Sequence, residues 1–244
     1  MGLRLAAALM GLVLGLGSEA RAQDVGTPPP TDASTAPADL REVHDRCVRA
    51  MVRIERPDGD FGSGFVTLVG ARRVIVTAAH VAENADPLRV VLYDGTEHLA
   101  HARYISDHVD VAVLVTEGAL EAPPLEVSDA QLVRGERVVV GGNPGGLFFI
   151  TTEGVVAGVV TGTLLSDQAC GEGHNCILLD AEAEPGSSGG PVMDEEGQVI
   201  GLLWGVYTGT SLSVTIHGTT LATELELAAE VLSRRRRPVA RAAH

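Results

Sequence analysis

The sequence predicts an all-β fold, either a sandwich or a barrel. Short runs with strand periodicity recur along the chain, separated by Gly, Asp and Pro, and no long helical patterns alternate with them. The composition agrees, because 45% of the 244 residues are hydrophobic but only 3% are aromatic, so the core must consist mainly of Val, Leu, Ile and Ala. A chain of this length buries a sizeable core as one large domain or two small ones.

The order of elements begins after an N-terminal pattern typical of a secretory signal peptide, assigned to residues 1–22. The positive charge of Arg4 precedes an apolar run at residues 5–17, and Ala20 and Ala22 supply the small residues of a cleavage site. The apolar run is shorter than the roughly 20 residues that span a bilayer as a helix. We therefore expect export to the periplasm or outside the cell, with no stable membrane insertion; a retained signal anchor is the alternative.

Residues 23–40 are rich in Pro, Thr and Ala without an apolar period, so a disordered linker is predicted there. The folded part is expected to begin near Leu40. Two prolines within the segment 121–134 interrupt the strand pattern, because proline cannot donate to a central ladder. This segment is therefore predicted to connect two halves. The predicted strands are 51–55, 64–68, 73–77, 88–93, 111–115, 137–141, 154–160, 176–180, 199–204 and 211–216.

The last element, residues 221–244, is predicted to be a short helix with an arginine-rich tail. Leu221, Leu225 and Leu232 share one helix face, and a run of arginines follows at residues 234–237. The chain has 18 positive and 32 negative side chains, a net charge of −14, and such a surface repels a phosphate backbone. We expect no nucleic-acid partner, and the arginine run is interpreted as solvated.

Three cysteines occur in this chain with an export signal. Cys170 and Cys176 lie six residues apart in a polar, Gly-containing stretch, and they are expected to form a disulfide in an oxidising compartment. Two free thiols are the alternative. Cys47 is expected to be buried.

Three motifs contain the residues that acyl transfer by a serine requires. The string PGSSGGP places Ser188 among glycines, which free the backbone for a tight turn whose amides can face an oxyanion. His80 ends an apolar strand in TAAHV, and Asp110 begins DVAVL. The order His, Asp, Ser argues against the nucleophile elbow of α/β-hydrolases, which GSSGG also matches, because the acid and base of that fold follow the serine.

With these motifs the sequence resembles the chymotrypsin-like serine peptidases, and most closely the exported bacterial HtrA (DegP-type) proteases. Matching strings include GSGFV at 62–66, GNPGG at 142–146 and GQVIGLLWG at 197–205. The resemblance implies two packed six-stranded antiparallel β-barrels, at 41–120 and 135–220, with the active site in the cleft between them. The residues after Ser188 are too few for the PDZ domain that HtrA-type proteases usually carry, so none is expected.

The resemblance also implies roles for individual residues. Ser188 is the nucleophile, His80 is the general base and then the acid, and Asp110 holds the imidazole tautomer. The backbone amides of Gly186 and Ser188 form the oxyanion hole. Asp107 is the rival acid, three residues earlier, but only the apolar alternation after Asp110 matches the family pattern.

Glu182 is the candidate residue of the substrate pocket. It lies six residues before Ser188, at the position that in trypsin-like enzymes forms the floor of the pocket for the residue before the cut. An acid there favours Arg or Lys in the substrate. Asp180, Glu182 and Glu184 alternate with alanines and equally fit a solvated strand face, so both interpretations stay open.

The leading hypothesis is an exported serine endopeptidase that acts on proteins or peptides through an acyl-enzyme intermediate. The alternative is a non-catalytic peptide-binding or scaffold protein on the same fold. No cofactor is expected. No metal site is expected either, because His98 and His101 have H-x-x-H spacing but no cysteine or paired carboxylate at ligand spacing. The sequence makes no prediction about the oligomeric state.

Overall fold

The computed structural model describes residues 40–130, 132–161, 174–206 and 212–234. The predicted signal peptide, the linker up to residue 39, Cys170 and the arginine tail beyond Arg234 lie outside these ranges. The domain boundaries drawn from the sequence remain predictions.

Two closed antiparallel barrels of six strands each form the fold. The first barrel has the order β1-β2-β3-β6-β5-β4 and the second the order β10-β11-β12-β9-β8-β7. This arrangement confirms the predicted fold class. The first barrel contains β1 (Met51–Glu55), β2 (Phe61–Val69), β3 (Arg72–Thr77), β4 (Leu88–Leu92), β5 (Glu97–Ile105) and β6 (Ala112–Thr116). The second contains β7 (Arg137–Gly142), β8 (Ile150–Thr161), β9 (Asn175–Asp180), β10 (Pro191–Met193), β11 (Val199–Val206) and β12 (Ser213–His217).

The described residues also form three α-helices, α1 (Arg41–Ala50), α2 (Ala79–Ala82) and α3 (Gly218–Arg234), and one short 3-10 helix at Pro144–Gly146. Helix α1 was not predicted as a helix, although its buried residues Val43, Cys47 and Ala50 have helical spacing. It packs mainly against β7 and β8 of the second barrel and also contacts β2 of the first. The predicted unit 41–120 therefore starts with a helix that contacts both barrels.

Helix α3 contacts both barrels, with neighbours on β11 and β12 and also on β2 and β5. Its Leu221 and Ala228 are fully buried. The carboxylate of Glu224 on this helix is only 2% exposed and accepts a hydrogen bond of 2.5 Å from the hydroxyl of Tyr104 on β5. Desolvation, followed by this carboxylate, raises the pKa of Tyr104 to about 12. The predicted helix is present and starts at Gly218, three residues before the predicted start.

The connector between the barrels is hydrogen-bonded to a strand of each barrel. Leu125 forms a parallel bridge with Thr67 of β2, and Val127 forms one with Val199 of β11. The Thr67 hydroxyl also donates to the carbonyl of Leu125 at 2.7 Å. Over Leu125 and Val127 the predicted connector is therefore an extended segment bridged to one strand of each barrel.

The two cysteines within the described ranges lie on different elements, a helix and a strand. Cys47 is a free thiol on α1, and complete burial raises its pKa to about 12. Cys176 on β9 is fully buried and is not among the free thiols of the described residues. Its predicted partner Cys170 lies outside the described ranges, so the pairing stays a prediction.

Candidate active site

Strand pairing in the first barrel brings His80 and Asp110 together. Strand β3 ends at Thr77, three residues before His80, and pairs with β6, whose Ala112 is opposite Thr77. Asp110 lies two residues before the start of that strand. Its Oδ2 lies 2.5 Å from His80 Nδ1, and its Oδ1 accepts the backbone N–H of His80 at 2.8 Å. One carboxylate therefore fixes both the ring and the main chain of the histidine.

The side chains of Asp110 and His80 differ in their exposure to solvent. Asp110 is 8% exposed, whereas 48% of the His80 side chain is accessible. An ionised carboxylate can only accept hydrogen bonds, so Nδ1 carries the proton and Nε2 is left as an acceptor. A neutral histidine held this way presents a base to the cleft.

Asp107, the alternative acid, lines a cavity that also borders His80 and Asp110, and it is exposed. Asp110, rather than Asp107, contacts His80. The cavity has a volume of about 630 Å³ and is lined by residues of both barrels, including His80, Asp110 and Trp204. It provides room for a ligand beside the histidine.

Helix α2 is held by an arginine that the sequence analysis did not assign. Arg56, just after β1, donates from Nη1 to the backbone carbonyls of Val81 at 2.8 Å and Glu83 at 3.0 Å. A cation suits the carbonyl end of a helix. Asp58 in turn pairs with the Arg56 guanidinium at 3.0 Å. This arrangement steadies the turn of backbone that carries His80.

Ser188 lies in the tight turn between β9 and β10 of the second barrel. Its hydroxyl donates to the backbone carbonyl of Trp204 on β11 at 2.9 Å. Among the described residues it makes no hydrogen bond with His80. The hydroxyl is thus directed to the neighbouring strand, whose Trp204 lines the cavity beside His80.

The turn that carries Ser188 has two unused backbone amides. Gly186 has a φ of +97°, a conformation that favours glycine, and a Cβ there would lie 2.4 Å from the Phe61 ring. Within the described ranges, the N–H groups of Gly186 and Ser188 donate to no other residue. Two free amides in one tight turn suit the binding of an oxyanion.

Two further residues missed by the sequence analysis contact this turn from outside it. Ser63 on β2 is fully buried, and its hydroxyl donates to the carbonyl of Gly186 at 2.7 Å. Asn143, also fully buried, donates to that same hydroxyl oxygen. Both residues lay inside strings that were noted only for their resemblance, and no signal in the sequence paired them.

Glu182 lies between β9 and the turn and is exposed. Asp180 and Glu184 are exposed as well, whereas Ala181 is buried, so the three acids share one outward-facing side. Glu182 forms no hydrogen bond or ion pair with another described residue. The assignment of Glu182 to a substrate pocket remains untested.

Of the two histidines considered for a metal, His101 is paired with two carboxylates. His101 on β5 pairs through Nδ1 with Asp86 at 2.8 Å and through Nε2 with Glu117 at 3.0 Å, and these carboxylates, Glu117 first, raise its pKa. The described ranges contain no group of three His, Cys, Asp or Glu side chains that could hold a metal ion. They also contain no helix with the length and apolar character needed to cross a membrane.

The trypsin-like peptidase domain family matches residues 62–202, a segment that includes the described histidine, aspartate and serine. The chloroplastic protease Do-like 1 of Arabidopsis thaliana is 37% identical over 164 residues, covering 66% of this chain and 36% of that protein. The serine protease Do-like HtrA of Bacillus subtilis is 34% identical over 151 residues, covering 59% and 34%. The chain thus spans about a third of the length of these curated relatives.

Solved structures give the same similarity in three dimensions. The Rv3671c protease of M. tuberculosis in its inactive form superposes with a TM-score of 0.66 at 26% sequence identity. The match covers 80% of this chain and 98% of that one. It extends beyond the matched family segment to most of the two barrels.

Proposed function

This chain belongs to the trypsin-like peptidase domain family, and from that premise we propose that it is a serine endopeptidase with His80, Asp110 and Ser188 as its catalytic triad. The observation that carries the proposal is that the carboxylate of Asp110 accepts hydrogen bonds from His80 at both Nδ1, at 2.5 Å, and the backbone N–H, at 2.8 Å. This contact leaves Nε2 as the only free base on the ring. The family relatives named above support the reaction class.

In the proposed mechanism, the Ser188 hydroxyl turns from the Trp204 carbonyl to Nε2 of His80. The serine Oγ then attacks the carbonyl carbon of the substrate while its proton moves to Nε2. Asp110 stabilises the imidazolium that results. The oxyanion accepts hydrogen bonds from the amides of Gly186 and Ser188.

In the remaining steps the amine product leaves first and the acyl group is then hydrolysed. The imidazolium of His80 donates its proton to the leaving amine, and the acyl group remains on Ser188 Oγ. Water enters, gives its proton to Nε2 and attacks the acyl carbon. Ser188 leaves with the proton from His80, so both side chains return to their starting states.

The turn of the Ser188 hydroxyl exchanges one hydrogen bond for another, since it leaves the carbonyl of Trp204 and gains Nε2. Rotation between staggered side-chain positions is fast in a part-buried residue. An extended substrate can use the freed carbonyl of Trp204 as an acceptor for one of its own N–H groups. Substrate binding is thereby proposed to favour the reactive position of the serine.

We propose export of the protein and cleavage of extended protein segments, on the basis of the signal-peptide pattern and the protease relatives. Glu182 is proposed to select a basic residue before the cut, on the basis of its position relative to Ser188. The disulfide between Cys170 and Cys176 is proposed from their spacing in an exported chain. Each of these is an extension of the family assignment.

One observation favours a second candidate, a peptide-binding protein with an idle triad. The Ser188 hydroxyl is bonded to the Trp204 carbonyl at 2.9 Å and not to His80. If this position persisted with substrate bound, the serine could not transfer its proton to the base. The cleft would then hold a peptide without cutting it.

Labelling with an active-site-directed fluorophosphonate separates the two candidates. The folded wild-type protein is expected to become labelled at Ser188 and to cleave an unfolded protein substrate. Ser188→Ala and His80→Ala are expected to lose both properties while keeping the wild-type unfolding transition. Absence of labelling in folded wild-type protein, or more than a few per cent of activity in Ser188→Ala, would overturn the peptidase assignment.

A further inference from the structure

We propose that Ser63, on the first barrel, is the positioning residue that sets the oxyanion hole of the second barrel. The inference rests on the proposed peptidase function and extends it to a residue outside the triad. Ser63 lies on β2, between Gly62 and Gly64, and 123 residues before the Gly186 carbonyl that it contacts. Its side chain touches neither substrate nor reacting atoms, so its effect on the reaction passes through the backbone of the turn.

The hydrogen bonds of Ser63 determine the direction of its proton. The hydroxyl oxygen accepts from the backbone N–H of Asn143 at 2.9 Å and from Asn143 Nδ2, also at 2.9 Å. A serine hydroxyl has two acceptor sites and one donor. With both acceptor sites taken, the single proton is directed to the carbonyl of Gly186 at 2.7 Å.

Asn143 is itself fixed by contacts on its other atoms. Its Nδ2 also donates to the carbonyl of Val52 on β1 at 3.2 Å, and its Oδ1 accepts the N–H of Phe149 at 3.0 Å. A buried network with all its members satisfied is rigid and specifies one arrangement. The hydroxyl of Ser63 therefore has no alternative orientation of comparable energy.

The backbone of Ser63 holds the same turn at a second point. Its N–H donates to the carbonyl of Ser188 at 2.9 Å. The two residues whose amides face the proposed oxyanion position are thus each held through their carbonyl by this one serine. No other described residue bonds to both carbonyls.

The remaining peptide groups of the turn are bonded elsewhere. The carbonyl of Pro185 accepts the N–H of Gly145 at 2.9 Å, and that of Ser187 accepts the N–H of Gly190 at 3.0 Å. The N–H of Ser187 donates to Glu184 at 3.0 Å. Each peptide plane is fixed on the side away from the cleft, so the amides of Gly186 and Ser188 remain on the cleft side.

Loss of the Ser63 hydroxyl would leave the carbonyl of Gly186 without its hydrogen-bond donor. Gly186 has no Cβ to restrict its rotation, and an unpaired buried carbonyl is costly to leave without a donor. The peptide between Gly186 and Ser187 would then rotate toward another donor. This peptide lies between the two planes that carry the amides of Gly186 and Ser188, so its rotation changes the direction of one amide relative to the other and weakens the oxyanion hole. The His80–Asp110 pair in the other barrel stays intact.

The test compares Ser63→Ala with Thr67→Val, a matched control. Thr67 is 2% exposed on the same strand, and its hydroxyl also donates to one backbone carbonyl at 2.7 Å, but it does not touch the turn. We expect Ser63→Ala to lower kcat by about tenfold to a hundredfold, since removal of an oxyanion-hole donor itself costs about a hundredfold to a thousandfold. KM and the pH dependence of kcat/KM should stay close to those of the wild type.

A second readout isolates the oxyanion hole. A peptide aldehyde, which forms a tetrahedral adduct with the nucleophilic serine, is expected to lose affinity for Ser63→Ala by about the same factor as kcat. Thr67→Val should lose stability to urea but not aldehyde affinity. Ser63→Cys keeps a weak donor of similar size and is expected to give an intermediate kcat, and it replaces Ser63→Ala if that variant does not fold.

Two results would overturn the role of Ser63. One is a kcat for folded Ser63→Ala within about threefold of the Thr67→Val value or, where Ser63→Ala does not fold, a kcat for Ser63→Cys equal to the Thr67→Val value; the other is a loss that appears in KM with unchanged aldehyde affinity. Failure of the peptidase assignment looks different, because the wild-type protein would then itself be inactive and unlabelled by fluorophosphonate.

Discussion

The replacement Asp110→Asn tests how the histidine is held, because it removes the charge and one acceptor while keeping the size of the side chain. The carboxylate accepts hydrogen bonds from His80 Nδ1–H at 2.5 Å and from the His80 backbone N–H at 2.8 Å. An asparagine has a single acceptor oxygen. If that oxygen keeps the backbone bond, its NH₂ group faces Nδ1.

A donor opposite Nδ1 selects the wrong tautomer of the imidazole. The proton then resides on Nε2, which can no longer accept the proton of Ser188. We expect kcat/KM to fall by about ten thousandfold, which is about 5.4 kcal/mol of transition-state stabilisation at 1.36 kcal/mol per factor of ten. The fold should lose at most about 1–3 kcal/mol, the range for a disturbed buried hydrogen bond.

The assay is hydrolysis of a peptide ester together with urea unfolding of the same preparation. Asp107→Asn is the matched control, since Asp107 lines the same cavity and makes no contact with His80; its kcat/KM should stay within about twofold of the wild type. The reasoning would be refuted by folded Asp110→Asn protein that keeps more than about a tenth of the wild-type kcat/KM, or by an equal loss in Asp107→Asn.

Three further predictions concern stability and specificity. Burial lowers the pKa of His217, so the unfolded chain takes up this proton first and stability should decline as the pH falls below about 6.5; His217→Gln should reduce that decline in urea titrations, and an unchanged pH profile would contradict it. Tyr104→Phe leaves the buried Glu224 carboxylate without its donor and should cost about 1–3 kcal/mol by urea unfolding, a cost that Glu224→Gln in the same chain should partly relieve. Glu182→Gln should erase most of a tenfold to hundredfold preference for Arg or Lys before the cut, and a peptide-library digest in which the wild type prefers Val, Ala or Leu would refute the pocket assignment.

The strands that the sequence predicted are those with a buried, β-branched side. Strand β1 (Met51–Glu55) was placed at its observed bounds, and the other predicted runs overlap observed strands. Strand β5 (Glu97–Ile105) was missed because only Ala100 of its nine residues is buried, so its sequence has no apolar alternation. Strand β10 (Pro191–Met193) has three residues, too few for a periodic pattern.

The candidate site divides in the same way between local and distant information. His80, Asp110 and Ser188 could be proposed because each lies in a short string whose chemistry is evident from its neighbours. The direction of the Ser188 hydroxyl toward Trp204 could not be predicted, because it depends on a rotamer and on a strand 16 residues away. The partners of Ser63 are 80 and 123 residues distant, and nothing in the local sequence indicates either.

The distant contacts are the ones that join the two halves of the proposed chemistry. The base and its acid lie on the first barrel, whereas the nucleophile and the oxyanion amides lie on the second. Helix α3 and the connector contact both barrels, and Ser63 makes two hydrogen bonds from the first barrel directly to the nucleophile turn. A small change in the packing of the barrels would leave each barrel's own hydrogen bonds intact and still separate Ser188 from His80. Activity should therefore be more sensitive than stability to substitution of the groups that hydrogen-bond to the nucleophile turn, because most of the free energy of folding comes from the two cores, whereas the position of the turn depends on these few groups.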